Sequence, residues 1–303
     1  MPRIVYKLRF TTPVHFGAES GGNKLSSQSM AFRADLLFSA LYLQGDGDAL
    51  LKWVKNGRLW FSDAFPYHEN TLYLPKPIGI WNRQIPADDP SVRKQLKKIA
   101  YIPIDQLNAF VHGNCDPASL RTSFGTGYEV TRVNRRDYDL PLPYQLAGFR
   151  FADGCGLYLI VSADEQAMEG FEKRLLSLSA NGIGGKVSSG WGKFVFEKNE
   201  LPEVLAQGLD NRQAACQMLL STALPEDDEL DSALRHGTWL LVRRGGFSYS
   251  PAANAHKKHT VFLLGAGSVF PKRFRGTMLD VGLDMPHPVW RCAMAGFMGV
   301  DVS

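Results

Sequence analysis

The sequence predicts an α+β fold made of two ferredoxin-like domains, the second smaller than the first. Segments with the period-2 alternation of strands occur between segments with the periodicity of helices. In the first half they follow the order strand, helix, strands, helix, strand, which is the ferredoxin-like order. At 303 residues the chain is long enough for two domains with ordinary cores. We therefore expect one domain over residues 1–200 and a second over residues 201–303.

Alternation and stop signals predict the first elements. Ile4 to Phe10 alternates in polarity and predicts a strand, and His15 to Ser27 is rich in glycine and serine and predicts a loop. A helix is expected from about Ser29 to Leu43, and a shorter one over residues 50–57. Leu59 to Phe61 then predicts a buried strand.

A helix, a loop and a strand follow one another near residue 180. Ser162 and Glu165 have the spacing of a capping box, and apolar residues then recur at helical intervals as far as Leu178. Asn181-Gly182 is a good C-terminal stop for this helix. After the loop, Trp191 to Phe196 alternates and predicts a strand.

An insertion and a thumb are expected over residues 84–150. Prolines recur from Pro75 to Pro117 and predict an irregular insertion with one short basic helix near residues 92–99. Residues 129–151 predict the two extended arms of a long β-hairpin, the thumb.

The C-terminal half contains fewer clear signals. The acidic run at 226–229 and Leu201-Pro202 flank a predicted helix through Ala214, Met218 and Leu219. Residues 239–242 and 260–264 predict strands, and Val289 to Val302 predicts a final one.

The most informative segment is the loop from Asn181 to Phe194, in which five glycines occur between Gly182 and Gly192. Such a loop can present backbone N–H groups to a phosphate chain. A Walker-type P-loop follows a strand and precedes a helix, whereas this loop follows a helix, and Ala180 stands where a P-loop needs glycine. A dinucleotide fingerprint fails because Val187 occupies its third glycine position. ATP and NAD sites are therefore not expected here.

Charge is distributed unevenly around a net +4. Residues 200–231 carry eight acidic residues and one basic residue, whereas residues 235–275 carry eight basic residues and no acidic one. Aromatic rings and histidines lie among those basic residues, which suits single-stranded nucleic acid because phosphates attract cations and unstacked bases stack on rings. A solvated basic face is the alternative interpretation.

Cysteine spacing and hydropathy exclude several classes. The four cysteines lie 40, 61 and 76 residues apart without a CxxC pair, which argues against a zinc site. No signal peptide is visible, which favours a reducing cytoplasm, and no apolar run approaches the roughly 18 residues of a membrane span. We expect a cytoplasmic protein with no metal ion, no cofactor and no membrane partner.

The helix, the GxGGKxSSGxG loop and the strand together resemble the RAMP superfamily, the RRM-like RNA-binding proteins of CRISPR systems. The resemblance is to the RAMP subunit that caps the 5′ handle of CRISPR RNA (crRNA) in type III-A (Csm) effector complexes. It extends from about Ile4 to Val302 and is weak over residues 84–120. Five further segments carry it: Phe32–Leu41, Arg132–Arg135, Gly245–Phe247, Gly265–Phe270 and His287–Arg291.

This resemblance implies a non-catalytic scaffold of two RRM-like domains that holds the crRNA 5′ handle. Its implied protein partners are the large polymerase-type signature subunit and the first backbone RAMP subunit, and target RNA is met only indirectly. The thumb arginines would clamp RNA, or alternatively form an ion-paired ribbon with neighbouring acidic residues. The predicted RNA-binding residues are Gly182, Gly184, Gly185, Lys186, Ser188, Gly190, Arg33, Arg132, Asn134, Arg135, Arg136, Gly246, Phe247, Ser268 and Phe270.

Two other functions remain open from sequence. A RAMP endoribonuclease that matures crRNA would need a general base such as His15 or His112, although a surface or capping histidine is the more common role for such positions. Asp35 is a nuclease candidate by analogy with type III backbone subunits, but a first-turn carboxylate that interacts with its helix dipole is the simpler interpretation, and Trp290 is expected in the core. A subunit of the related type III-B (Cmr) complex would differ in partners rather than chemistry.

Overall fold

A computed structural model describes residues 1–17, 28–79, 90–116, 118–120, 122–134, 142–248, 256–282, 285 and 287–301. The helices are α1 Ala34–Tyr42, α2 Gly47–Lys55, α3 Pro90–Lys98, α4 Leu107–Val111, α5 Glu165–Asn181, α6 Glu203–Asp210 and α7 Asp227–His236. The first-half strands are β1 Arg3–Phe10, β2 Phe16–Gly17, β3 Gln28–Ser29, β4 Leu59–Phe61, β5 Phe65–His68, β6 Thr71–Pro75, β7 Tyr101–Pro103, β8 Gly125–Asn134, β9 Leu142–Phe151, β10 Cys155–Ala163 and β11 Phe194–Glu200. The second-half strands are β12 Cys216–Leu219, β13 Leu241–Arg244, β14 Val261–Leu264, β15 Val269–Phe270, β16 Gly276–Asp280, β17 Trp290–Met294 and β18 Phe297–Val300.

The predicted α+β class is confirmed, and a seven-stranded antiparallel sheet organises the first half. Its strands lie in the order β11-β1-β10-β5-β6-β7, with β4 also paired to β10. Both faces of the sheet are covered, because Tyr6 and Leu8 of β1 point into one apolar cluster and Val5 points into another. The first cluster packs under α1 and α5.

Two helix starts differ from the predictions. Helix α5 begins after Asp164, whose carboxylate accepts a hydrogen bond from the Ala167 N–H at 2.9 Å. The predicted capping box is wrong because Ser162 lies within β10. Helix α1 begins at Ala34 rather than near Ser29, because Ser29 is extended and pairs with Phe16 in a short hairpin.

The insertion is more regular than predicted. The basic helix α3 is confirmed at Pro90–Lys98, but β7 and α4 were not expected. Strand β7 contains Pro103 and pairs with β6 at the edge of the large sheet. Proline is tolerated at an edge because no neighbouring strand needs its missing N–H.

The thumb is confirmed as a long antiparallel hairpin of β8 and β9. Pairing runs continuously from Gly125 opposite Phe151 to Asn134 opposite Leu142. The root of the hairpin is attached to the chain just after β1, where Val14 and Phe149 exchange backbone hydrogen bonds of 2.9 Å.

The second half contains a three-stranded sheet of order β15-β12-β18 and two hairpins, β13–β14 and β16–β17. The helix predicted through Ala214, Met218 and Leu219 is wrong: Met218 and Leu219 belong to β12. The Met218 and Leu219 side chains are both buried, each in a different apolar cluster. The sequence of this short apolar run therefore shows no alternation of polarity that would distinguish a strand from a helix.

The predicted final strand is divided in two at Gly296. A Cβ at that position would lie 1.8 Å from the ring of Trp60, so β17 and β18 meet where only glycine leaves room for the indole. The Gly296 carbonyl also accepts a hydrogen bond of 2.7 Å from the Leu220 N–H beside β12.

The two halves share one core. A single apolar cluster contains Val5, Phe65 and Tyr158 from the first half together with Leu205, Met218 and Val300 from the second. Among the described residues, no helix is long and apolar enough to cross a membrane, and no group of three or more His, Cys, Asp or Glu side chains is placed to hold a metal ion.

Candidate nucleic-acid interface

The stem of the glycine loop is fixed to the chain just after β1. Gly182 ends α5 with a φ of 93°, and the Ile183 N–H donates to the Gly192 carbonyl at 3.0 Å. The N–H of Gly192 donates to the Pro13 carbonyl at 2.8 Å, and that of Gly185 to the His15 carbonyl at 2.8 Å. The loop is therefore a rigid projection rather than a flexible linker.

Most of the glycines are required by contacts within the chain. A Cβ on Gly184, whose φ is 99°, would lie 2.8 Å from the His15 carbonyl, and a Cβ on Gly185 would lie 2.6 Å from the His15 ring. Gly184 and Gly185 thus make room for residues 15–16, and the RNA contacts predicted for them stay predictions. Gly190, with a φ of 83°, faces open space.

The tip of the loop presents unused donors. Lys186 is left-handed, with a φ of 65°, and it begins a 3-10 turn over Val187–Ser189. Within the described part of the chain, the backbone N–H groups of Lys186, Val187 and Ser188 donate to no acceptor. Val187 and Ser188 are exposed. Successive N–H groups next to a left-handed residue form a concave donor set that suits an anion such as a phosphate.

The thumb meets this tip through an aromatic ring. The Lys186 ammonium lies 5.0 Å from the centre of the Tyr144 ring on β9. Tyr144 is directly opposite Arg132 on β8, and opposite residues of an antiparallel pair share a face. The exposed Arg132 side chain, the Tyr144 ring and Lys186 therefore lie on one face of the thumb. On the same face, Tyr128 packs against Trp191 with ring centres 6.1 Å apart.

His15 is a structural residue at this junction. Its side chain is buried, and Nδ1 lies 2.8 Å from the Ala147 carbonyl on β9, so Nδ1 carries the proton. Together with the Gly185 contact, this bond connects the thumb, the loop and the end of β1. His112 lies elsewhere, half-buried after α4, with Nδ1 2.8 Å from the Asn108 carbonyl.

Arg33 is engaged inside the protein. Its guanidinium donates to Asp63 at 3.1 Å and to the Thr222 hydroxyl at 2.9 Å. Asp63 is buried and also accepts the N–H groups of Ala34 and Thr222, each at 2.8 Å. Burial raises the pKa of Asp63 in spite of these partners. The RNA contact predicted for Arg33 stays a prediction.

Asp35 is the centre of a buried ion-pair network. The Arg244 guanidinium donates two hydrogen bonds of 2.9 Å to the Asp35 carboxylate, and Arg291 donates a third. Burial alone would raise the pKa of Asp35, but Arg244 and Arg291 hold it below its ordinary value. Asp35 lies in the first turn of α1 as predicted, but its principal partners are two cations from the second half, which the sequence did not indicate.

The other predicted residues differ in their burial. Ser268 and Phe270 are buried, so their predicted RNA contacts are corrected: Ser268 donates to the Gly265 carbonyl at 2.6 Å, and the Phe270 ring packs 5.3 Å from that of Phe274. Phe247 is 54 % exposed beside Gly246, as an RNA-contacting ring requires. Arg135 and Arg136 lie outside the described residues, and Asn134 is described only as the last residue of β8. Trp290 is partly buried, under the Lys55 ammonium at 3.7 Å.

Comparison with known proteins decides the family. The model of the CRISPR Csm4 C-terminal domain matches residues 212–300. The "CRISPR system Cms protein Csm4" of Streptococcus thermophilus is 33% identical over 313 residues, covering 99% of this chain and 100% of that protein. The chain belongs to the Csm4 family of CRISPR proteins. The RAMP-type, type III-A resemblance seen in the sequence is thereby confirmed.

Two solved structures share the fold of this Csm4-family chain. A Csm4 chain in a crystal structure of a Csm3–Csm4 subcomplex of the type III-A interference complex aligns with a TM-score of 0.67 at 17% identity, covering 99% of this chain and 100% of that one. A chain in a Csm1–Csm4 cassette bound to pppApA aligns with a TM-score of 0.66 at 19% identity, covering 100% of this chain and 99% of that one.

Sequence reasoning missed Tyr144 and the structural role of His15. The thumb arginines were predicted as RNA contacts because of their charge, and the aromatic ring between Pro143 and Gln145 was not predicted. The hairpin register supplies the missing signal, because it places Tyr144 opposite Arg132. The sequence of residues 135–141 has no short-loop signature from which that register could be predicted.

Proposed function

We propose that this chain is a non-catalytic crRNA-binding subunit of a type III-A CRISPR interference complex, which holds the repeat-derived 5′ handle. Membership of the Csm4 family supports the complex. The observation that carries the RNA-binding role is the junction of Lys186, Tyr144 and Arg132 with the free N–H groups of the loop tip. It combines cations, unused donors and an aromatic ring, which single-stranded RNA requires.

Strand order supports two ferredoxin-like units. In the first half the chain runs β1, α1, β4–β5, β10, α5 and β11, and these strands lie in the order β11-β1-β10-β5. In the second half β18, β12 and β15 lie side by side. Thr238 forms an isolated β-bridge with Val269 of β15, and it therefore occupies the position of a fourth strand. We assign the second unit as ferredoxin-like with the β16–β17 hairpin in place of its second helix, and we place the units at 1–200 and 201–303.

The candidate catalytic groups support a scaffold rather than a nuclease. The Nδ1–H of His15 is bonded to a backbone carbonyl and the ring is buried against the glycine loop. Asp35 accepts from two arginines and is ionised, so it is an ion-pair partner rather than a base with access to substrate.

The protein partners follow from the family. The similar structures contain Csm4 with Csm1 in one case and with Csm3 in the other. We assign to this chain the corresponding partners, the large signature subunit and the first backbone subunit, in a cytoplasmic ribonucleoprotein that meets target RNA indirectly.

Charge reversal at the loop tip tests the RNA-binding role. Lys186→Glu should reduce the crRNA that co-purifies with the assembled complex by about tenfold or more, because a cation at a phosphate is replaced by an anion. The thermal midpoint of the isolated chain should stay nearly constant, since Lys186 lies at the tip of the loop. Lys52→Glu, which places the same change on the exposed face of α2, should retain crRNA. A Lys186→Glu complex with its full crRNA content would rule out this site.

A further inference from the structure

A pocket lies between the insertion and the start of the thumb. Its volume is about 270 Å³, which is larger than the roughly 150 Å³ of a cavity that accommodates benzene. Lys98 and Thr122 contribute polar groups to it, and apolar side chains form most of the wall, namely Met30, Ile99, Tyr101, Leu120 and Phe124. The pocket is therefore large enough, and apolar enough, for a planar ring such as a nucleobase.

Two aromatic contacts fix one wall of this pocket. The Phe124 ring lies perpendicular to the Tyr73 ring, with ring centres 4.9 Å apart, and to the Tyr101 ring, with ring centres 6.3 Å apart. Edge-to-face contacts of this kind are a favoured arrangement of aromatic pairs and hold the ring in one orientation. The Phe124 ring is therefore a rigid surface against which a planar base can pack.

A pair of hydroxyl groups at the pocket leaves one donor unused. The Tyr73 hydroxyl lies 2.8 Å from the Thr122 hydroxyl, and either oxygen can be the donor. A hydrogen bond between two hydroxyl groups uses one of their two protons. The second proton has no acceptor among the described residues. The edge of a base offers nitrogen and oxygen acceptors to it, whereas an aliphatic side chain would leave the donor without a partner.

Helix α3 places three lysines beside the pocket. Lys94, Lys97 and Lys98 are exposed, and their i, i+3, i+4 spacing puts them on one face of α3. The buried Leu96 and Ile99 occupy the opposite face. None of the three ammonium groups makes a hydrogen bond or an ion pair with a described residue, and the sequence of α3 contains no acidic residue. This face therefore carries uncompensated positive charge at the edge of the pocket, which Lys98 lines.

We propose that this pocket takes one unstacked base of single-stranded RNA while Lys98 binds an adjacent phosphate. Lys94 and Lys97 then attract the neighbouring phosphates of the same strand. A run of exposed lysines alone is compatible with a solvated face. A base-sized pocket with an aromatic wall and an unused donor at the end of that run matches what a splayed-out base requires.

This inference rests on the proposed function and adds a second RNA contact to that of the glycine loop. Phe124 directly precedes β8, and Arg132 lies near the other end of that strand. The pocket is therefore separated from the loop-tip site by about eight strand residues, or roughly 27 Å. The two sites lie at opposite ends of the thumb, so variants of each can be tested separately.

Filling the pocket tests whether a base enters it. The full-length chain and its variants are titrated with a single-stranded oligoadenylate at several salt concentrations. Ala100→Trp fills the pocket without a change of charge, and it keeps the Ala100 carbonyl that accepts the Lys76 N–H at 3.0 Å. It should weaken binding by roughly tenfold, the effect of one lost stacked base, and leave the slope of log affinity against log salt unchanged. Ala118→Trp, on an exposed part of the same insertion outside the pocket, should bind like the unmodified chain.

Removing the charge at the edge of the pocket should also change the salt dependence. Lys98→Gln should weaken binding by roughly tenfold and make the slope shallower by about 0.7. Lys98→Arg keeps the charge and should bind within about twofold of the unmodified chain. Lys52→Gln removes a charge from the exposed face of α2 and should change neither quantity. Equal thermal midpoints would show that the variants are folded, and Ala100→Leu, a smaller filling substitution, replaces Ala100→Trp if tryptophan lowers the midpoint.

Lys186→Glu in the same titration separates this inference from the proposed function. If Lys186→Glu weakens binding but Ala100→Trp and Lys98→Gln do not, the pocket is not an RNA site and the proposed function stands. If the two pocket variants weaken binding and Lys186→Glu does not, the pocket is supported and the loop-tip site is wrong. If none of the three changes the affinity, both are wrong.

Two further outcomes would overturn the base pocket. If Lys98→Gln weakens binding and Ala100→Trp does not, α3 attracts phosphates but no base enters the pocket. If Ala100→Trp leaves RNA affinity unchanged but reduces co-purification of a protein subunit of the complex, the pocket takes a side chain of that partner instead.

Discussion

The glycine-loop tip and the Asp35 network are both rich in charge, but they differ in how much of that charge is compensated within the chain. The Lys186 ammonium lies over the ring of Tyr144, and three N–H groups, those of Lys186, Val187 and Ser188, have no acceptor among the described residues. Asp35 is fully buried and accepts from two arginines. The first arrangement leaves its donors for a ligand, whereas the second holds α1 against β13 and β17. Electrostatic substitutions should therefore affect binding at the first site and stability at the second.

The largest effect on stability is expected for Asp35→Ala. It leaves the buried Arg291 and the half-buried Arg244 without their carboxylate, and breaking a buried pair typically costs about 3–5 kcal/mol. A carboxylate that only interacted with a helix dipole would contribute about 0.3–1 kcal/mol. Asp48 is the matched control, because it is the second residue of α2 as Asp35 is of α1, but it is exposed. Chemical denaturation of both variants measures the difference, and a loss below about 1 kcal/mol for Asp35→Ala would contradict the network.

A pair of glycine substitutions tests the rigid stem against the open tip. Gly184→Ala and Gly190→Ala both place a side chain at positive φ, at a cost of about 1–2 kcal/mol each. Only Gly184→Ala also pushes its Cβ against the His15 carbonyl, which should add roughly 1–3 kcal/mol. Equal losses of unfolding free energy for the two variants would show that residue 15 does not support the loop.

The pH dependence of stability should have opposite signs at the two buried carboxylates. The folded-state pKa of Asp35 is lowered, so its contribution is present above the unfolded-state pKa and is lost as pH falls through the folded-state value. The folded-state pKa of Asp63 is raised, so its contribution is present below the unfolded-state pKa and is lost as pH rises through the folded-state value. The measurement is the unfolding free energy of the unmodified chain minus that of each variant, Asp35→Asn or Asp63→Asn, across the acidic pH range. This difference should rise with pH for Asp35→Asn and fall with pH for Asp63→Asn. Parallel slopes would contradict the assignment.

Local signals predicted more of the first half than of the second. Strand β1, helix α3, the end of α5 at Gly182 and the thumb hairpin follow from alternation, periodicity and stop residues near one another in sequence. Strand β12 does not follow from such signals, because both of its faces are buried by residues that are distant in sequence. Its short apolar run is as compatible with a helix as with a strand. The same distinction applies to the site: Lys186 and Arg132 are visible as charges, whereas the pairing of Asp35 with Arg244 depends on contact between the two halves.

The smallest effect on stability is expected for Tyr144→Leu. The substitution removes the contact between the Lys186 ammonium and an aromatic ring, which at an exposed site contributes about 0.5–1 kcal/mol. A ring on which an RNA base stacks contributes more to binding, about 1–3 kcal/mol for each base. Tyr144→Leu should therefore reduce RNA affinity more than it reduces the free energy of unfolding, whereas Tyr144→Phe should change neither. Tyr128→Leu is the informative comparison, because the Tyr128 ring lies on the same face but packs against the buried Trp191. That variant should lose stability without a matching loss of RNA affinity. If Tyr144→Leu and Tyr128→Leu behave alike in both measurements, this face of the thumb is a packing surface, and the RNA contact must be placed at the loop tip alone.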